Sequence, residues 1–241
     1  MRKFIVALFI VGLSFTSLFF VAQPVFAESP ANPGTIVVQT IPGPTVAQKL
    51  ADRTKSSWSW SWYLVRGAGF VAAAALVVLM LSGMGLVTGF TFRFLEPLTA
   101  WATHRALGIV FGISILLHML GLFFDHFVPF NLVQLLVPWV SDYKPVTIFG
   151  VNVGSLYVAL GVLAFYGVAL VILTSLLWVE KKPYLWKLVH LLSYLVMIFV
   201  FIHALYLGTD LTHGVLRWAW IATGFGVAGV VLYRLWRAKT V

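Results

Sequence analysis

Four of the six histidines stand in just two long apolar stretches, His104 and His118 in one, His190 and His203 in the other. A neutral imidazole presents a lone pair to a transition metal without carrying charge into an apolar medium. The two pairs are fourteen and thirteen residues apart. On a helix rising about 1.5 Å per residue these are roughly 21 and 20 Å, most of the ~30 Å hydrocarbon thickness of a bilayer. Each stretch therefore sets one imidazole near each membrane face. If the two stretches run parallel, His104 is level with His190 and His118 with His203. Two levels, each with one imidazole from each of two helices, is what two bis-histidine haems stacked across a bilayer require.

The rest of the composition narrows that chemistry. There is no cysteine, which excludes disulfides, iron–sulfur clusters, thiolate-ligated haem and covalent c-type attachment. Any haem is b-type and non-covalent. A site for a bare metal ion is disfavoured, because two histidines per level with no intramembrane carboxylate nearby are fewer ligands than zinc or copper usually takes. The competing reading is four unrelated histidines hydrogen-bonded between helices, and it needs the same two depths to recur by chance. The spacing also makes a demand. At about 100° per residue, fourteen positions return within about 40° of the same face, whereas thirteen miss by about 140°. The second histidine helix needs a local distortion, or the two haems are rotated relative to one another.

The elements that position these residues are membrane helices. Of 241 residues, 61% are hydrophobic and 10% charged, and hydrocarbon tolerates only structures that satisfy their own backbone. The apolar runs have helix length, so the fold class is all-α, a polytopic bundle. Residues 1–27 have the basic, apolar, small-residue order of a signal peptide cleaved after Ala27; left uncleaved, they make a sixth span. Residues 28–57 are proline- and glycine-rich and read as an exterior tether. The haem-binding domain is 58–241, opening on an aromatic belt, Trp58 to Tyr63. Five spans are expected at roughly 62–90, 102–124, 150–179, 187–208 and 215–236. The stretch 128–140 is too short to cross and is expected to lie along the outer interface.

The sixteen lysines and arginines form no nucleic-acid-binding stripe. Arg93, Arg105, Lys181, Lys182, Lys187, Arg234, Arg237 and Lys239 collect on one side, which the positive-inside rule makes cytoplasmic. The expectation is a multi-pass protein of a bacterial plasma membrane with a cytoplasmic C-terminus, in contact with lipid and with no nucleic-acid partner. Asp125, His126, Asp210 and His213 fall on the exterior side, either as ordinary interfacial residues or as a rim that meets an electron acceptor. Arg66 and Arg217 on the outside, and Arg105 and Lys187 on the inside, are candidates to pair with haem propionates, or interface anchors. Gly108 and Gly112, beside His104, leave room for a macrocycle or for tight helix packing.

Three segments resemble the ferric reductase-like transmembrane domain, a family that includes ferric reductases, NADPH oxidases and the haem subunit of the periplasmic methionine sulfoxide reductase system. They are Trp62 to Gly69; His104-Arg105-Ala106-Leu107-Gly108 through His118; and Trp186 to Tyr194 through His203 to Asp210. The resemblance covers about residues 60 to 236. It implies electron transfer across the membrane, by way of His104 and His190 and then His118 and His203, to an exterior acceptor such as ferric iron or an oxidised protein. Members that oxidise NADPH themselves continue into a flavin and nicotinamide module. This chain ends soon after its last span, so a separate flavoprotein or quinol is the expected donor. Whether the chain is itself an oxidoreductase or an electron-carrying subunit stays open, and no catalytic residue is assigned. The alternatives are a non-catalytic haem carrier or sensor and a small proton-linked transporter.

Overall fold

The computed structural model describes residues 60–125, 128, 130–148, 151–152 and 154–239. The leader 1–27, the tether 28–57, Trp58 and His126 lie outside the described residues. The described chain is helical, with helices α1 (Trp60–Thr88), α2 (Pro97–Phe123), α3 (Leu132–Leu136), α4 (Leu156–Leu177), α5 (Pro183–His190), α6 (Leu192–Leu207) and α7 (Gly214–Lys239). One two-residue antiparallel hairpin, β1 (Thr147–Ile148) with β2 (Val151–Asn152), interrupts them. Among the described residues, five helices are long and apolar enough to cross a membrane, α5 and α6 together making the fourth.

The sequence marks the helix ends. Pro97 and Pro183 open α2 and α5 at positions where the missing N–H costs nothing. The Ser155 hydroxyl caps α4 by accepting from the Val158 N–H at 3.2 Å. Asn131 and Gln134 close a capping box on α3 at 2.9 and 3.1 Å. Past α1, Gly89 takes the left-handed φ of 74° that turns the chain into a 3₁₀ turn at Phe90–Arg93.

One helix start differs from expectation, and a local distortion of the kind expected in the second histidine helix is present. The third crossing helix begins at Leu156, not near 150, because the preceding residues turn back through the β-hairpin and a left-handed Gly154 (φ 69°). A Cβ at Gly154 would stand 2.5 Å from the Trp139 carbonyl oxygen, so the loop closes tightly there. The fourth span is not one continuous helix. It breaks at Leu191, immediately after His190, where the ladder passes through a bond from the Tyr194 N–H to the Leu191 carbonyl, three residues back. The segment expected along the interface is irregular apart from the five residues of α3.

The helices pair as two hairpins, α1 with α2 and α4 with α6, which also touch through α2–α4 and α1–α6, while α7 rests mainly on α1. Ala72, Ala75, Leu76 and Met80 of α1, Phe111 of α2, Ala164 and Val168 of α4 and Val196 and Met197 of α6 form a buried apolar core at the middle of the bundle. A second cluster joins Phe130 and Leu135 to Val158 and Val162, with Tyr143 and Leu207 packed against it, so residues 130–143 fold over one end of the helices.

Candidate functional site

Each histidine is seated on a neighbouring helix at a small residue. In the antiparallel α1–α2 hairpin, residues at equal heights face one another. A Cβ built on Gly69 would lie 3.2 Å from His118 Nδ1, and one on Gly83 would lie 3.2 Å from His104 Cε1. The glycines are fourteen apart, as are the histidines. In the α4–α6 hairpin, a Cβ on Gly161 would stand 2.5 Å from both Nδ1 and Cε1 of His203. Fourteen residues after Gly161 comes Ser175, whose hydroxyl meets His190 Nδ1 at 3.4 Å.

The glycines do more than admit the rings. In an α-helix the side chain at one position overhangs the carbonyl four residues earlier. With no side chain at Gly69, the Val65 carbonyl is open and accepts a hydrogen bond from His118 Nδ1 at 2.8 Å. With none at Gly161, the Tyr157 carbonyl does the same for His203 at 2.8 Å. A carbonyl can only accept, so Nδ1 carries the proton in both rings and Nε2 keeps its lone pair. At His104 the acceptor is Ser82 Oγ, 2.8 Å from Nδ1. The Ser82 hydroxyl donates its own proton to the Leu79 carbonyl at 3.1 Å, which leaves its oxygen to accept. Among the described residues, all four rings are held at Nδ1, and no hydrogen bond engages Nε2.

The rings then come together across the hairpins. His104 and His190 have centroids 6.2 Å apart and planes inclined by 54°. Two imidazoles bound to opposite sides of one metal ion, at about 2.0 Å per nitrogen–metal bond, have ring centres about 6 Å apart. The 6.2 Å spacing, the bare Nε2 atoms and the anchored Nδ1 atoms fit that arrangement. Among the described residues no cluster of three or more His, Cys, Asp or Glu side chains gathers as a metal site, so any metal centre here rests on two protein ligands per level.

The remaining candidates are distributed differently. Arg66 makes a two-pronged ion pair with Asp210, Nε to Oδ2 being 2.9 Å, and lies 4.0 Å over the Trp62 ring. Asp125 is buried and accepts from the Ser61 hydroxyl at 3.2 Å and the Val128 N–H at 3.4 Å. It fixes the loop after α2. Arg217 caps the Leu211 carbonyl at 2.9 Å. His213 is exposed and bonds Thr212, while Arg105 and Lys187 are exposed near the His104–His190 end. Gly112 is accounted for by packing, since a Cβ there would meet Ile172 Cδ1 at 2.9 Å, whereas Gly108 faces open space.

Sequence reasoning missed Ser82, Ser175 and Trp186, and the two backbone acceptors. Trp186 packs on His190 at 5.3 Å and on Trp101 at 6.4 Å. The available signal was the repeat of the fourteen-residue interval, from Gly69 to Gly83 and from Gly161 to Ser175, alongside the histidine pairs. Comparison with known protein families, characterised proteins and solved structures finds no match for this chain.

Proposed function

We propose that this chain is a transmembrane electron-transfer protein of the ferric reductase-like kind, holding two non-covalent b-type haems. His104 and His190 ligate one and His118 and His203 the other. The observation that carries the reading is the common seating of the four histidines. Each is held at Nδ1, and His104 and His190 have ring centroids 6.2 Å apart, a spacing at which both could hold one metal ion. When bound, the haems supply one-electron carriers whose potentials depend on ligand, hydrogen bonding and burial.

The chain's own residues supply position and insulation. The hydrogen bonds to Val65, Tyr157 and Ser82 fix ring orientation and tautomer, and that to Ser175 holds the His190 ring. The core between the levels, from Leu76 and Met80 to Val196 and Met197, is lined by buried apolar side chains, which would make it costly for an ion to follow the electron. The basic side chains cluster at the His104–His190 end, so that end is assigned to the cytoplasm of a bacterium. A separate flavoprotein or quinol donates there, and ferric iron or an oxidised protein accepts at the other end.

The test is a reduced-minus-oxidised spectrum with a pyridine haemochrome assay on detergent-purified protein. Two b-type haems per chain are expected, falling to one in His118→Ala or His203→Ala. Absence of haem after expression with ample haem supply refutes the reading. Haem that is bound but reduced more slowly than it exchanges identifies a carrier or sensor instead.

A further inference from the structure

The four seats are not equal. His118 and His203 donate to carbonyls at 2.8 Å, and His104 donates at 2.8 Å to a serine whose proton is already given to Leu79. His190 differs on three counts. Its Nδ1 contact, to Ser175 Oγ, is the longest at 3.4 Å. It has no glycine beneath it and stands at the break that ends α5. Its partner hydroxyl is itself held from outside the α4–α6 register, by the Trp186 indole N–H at 3.1 Å.

The Trp186 bond decides what Ser175 can do. A hydroxyl has one proton and two acceptor positions. The indole can only donate, so it occupies one acceptor position and leaves a proton and one lone pair. If Ser175 accepts from His190, Nε2 is bare and able to ligate. If Ser175 donates to His190, Nε2 carries the proton and is blocked. Thr174, one residue earlier, has no such choice, because its hydroxyl is committed to the Leu170 carbonyl at 2.8 Å. Trp186 also lies on the His190 ring, so one side chain holds both the ligand and its hydrogen-bonding partner.

We infer that His190 is the exchangeable ligand of the four, and that Ser175, oriented by Trp186, is its positioning residue. The His104–His190 level is then where a small exogenous ligand reaches iron, while the His118–His203 level stays closed. This inference rests on the haem reading above and goes beyond it by making the two levels chemically distinct.

Carbon monoxide is the probe, titrated optically into the dithionite-reduced holoprotein, with haem per chain measured on the same samples. The wild type is expected to respond at one of its two haems, and His118→Ala, which keeps only the His104–His190 level, is expected to retain the response. Ser175→Ala should raise carbon monoxide affinity roughly tenfold or more, the usual effect of losing an outer hydrogen bond to a metal ligand. Ser175→Thr, which keeps the hydroxyl, should restore it to within about twofold of wild type. Should Ser175→Ala fail to fold, Trp186→Phe, which keeps the ring and removes the indole N–H, is expected to act in the same direction by a smaller factor. Two haems with an equal response at both, a response lost in His118→Ala, or unchanged affinity in both Ser175→Ala and Trp186→Phe would overturn this inference and leave the haem reading standing. A chain without haem overturns both.

Discussion

Replacing Gly161 with alanine tests the seating of the histidines most directly. The new Cβ would stand 2.5 Å from both Nδ1 and Cε1 of His203. Comfortable contact needs about 3.5 Å or more, so the ring must retreat by about 1 Å. The Tyr157 carbonyl lies on the same helix as Gly161, one turn earlier, and retreat from one is retreat from the other. The 2.8 Å hydrogen bond then lengthens past bonding distance. Losing such a bond to a metal ligand costs roughly 10–100-fold in affinity, or about 1.4–2.8 kcal/mol. The backbone effect runs the other way, since alanine is favoured over glycine inside a helix by about 1 kcal/mol. Gly161→Ala should therefore weaken haem binding at the His118–His203 level, while in the haem-free protein the helix-propensity gain offsets part of the cost of the displaced ring. Gly69→Ala and Gly83→Ala are the graded controls. Their Cβ atoms would sit 3.2 Å from the nearest ring atom, a misfit of a few tenths of an ångström, and each should cost less than fivefold. The assay is haem titration into haem-depleted protein in detergent, with thermal melts alongside. Two haems bound by Gly161→Ala with wild-type affinity at both levels would refute the argument.

Other perturbations separate site from scaffold. Asp210→Asn removes the charge from a partly buried, two-pronged pair with Arg66; a loss of about 1–3 kcal/mol is expected, between exposed and buried pairs, and a double-mutant cycle with Arg66→Gln should assign most of it to the pair. Asp125→Ala removes the acceptor shared by the Ser61 hydroxyl and the Val128 N–H, at about 1.5–3 kcal/mol per hydrogen bond to a charged group; limited proteolysis should show cleavage within residues 130–148 rising while the helices stay intact. Gly108→Val projects a side chain into open space one turn from His104. It should reduce haem at the His104–His190 level in the haemochrome assay and leave the other level filled, whereas an unchanged count of two would place that space against lipid.

Much of the architecture is written in the chain because hydrocarbon leaves few choices. Apolar runs of about 20 residues between basic or breaker-rich loops read as crossing helices, and five helices long and apolar enough to cross a membrane are present among the described residues. The depth pairing of His104 with His190 follows from helix rise and the parity of the crossings, and those rings do meet. What escaped reading depends on rotation about the helix axes. Nothing in the composition says that Arg66 turns toward Asp210, 144 positions away, or that Asp125 turns inward to Ser61 rather than outward as a rim residue. Likewise Gly112 serves contact with Ile172, an interaction set by how two hairpins lean together. The β-hairpin before α4 was missed because no charged residue separates Thr147, Ile148, Val151 and Asn152 from the apolar helix that follows.

The thirteen-residue interval shows how the two hairpins resolve one constraint by different means. Along α1 and α2, Gly69 to Gly83 and His118 to His104 are equal intervals of fourteen, so two uninterrupted helices keep both rings on their seats. Along α4 the seats Gly161 and Ser175 are also fourteen apart, yet the histidines opposite them are thirteen apart. A uniform helix over 190–203 would carry one of the two rings about 140° off the shared face. The chain instead stops one helix at His190 and starts the next at Leu192. His190 stands level with His104 and His203 keeps its bond to Tyr157, with Leu191 holding helical angles (φ −63°, ψ −22°) between the two helices. The irregular step stands beside the histidine with the longest hydrogen bond of the four. Inserting a single alanine after Leu191 makes the interval fourteen. It should close the break, rotate His190 relative to Ser175, and change carbon monoxide affinity at that level alone; a carbon monoxide titration identical to wild type would show that the break does not set the ligand.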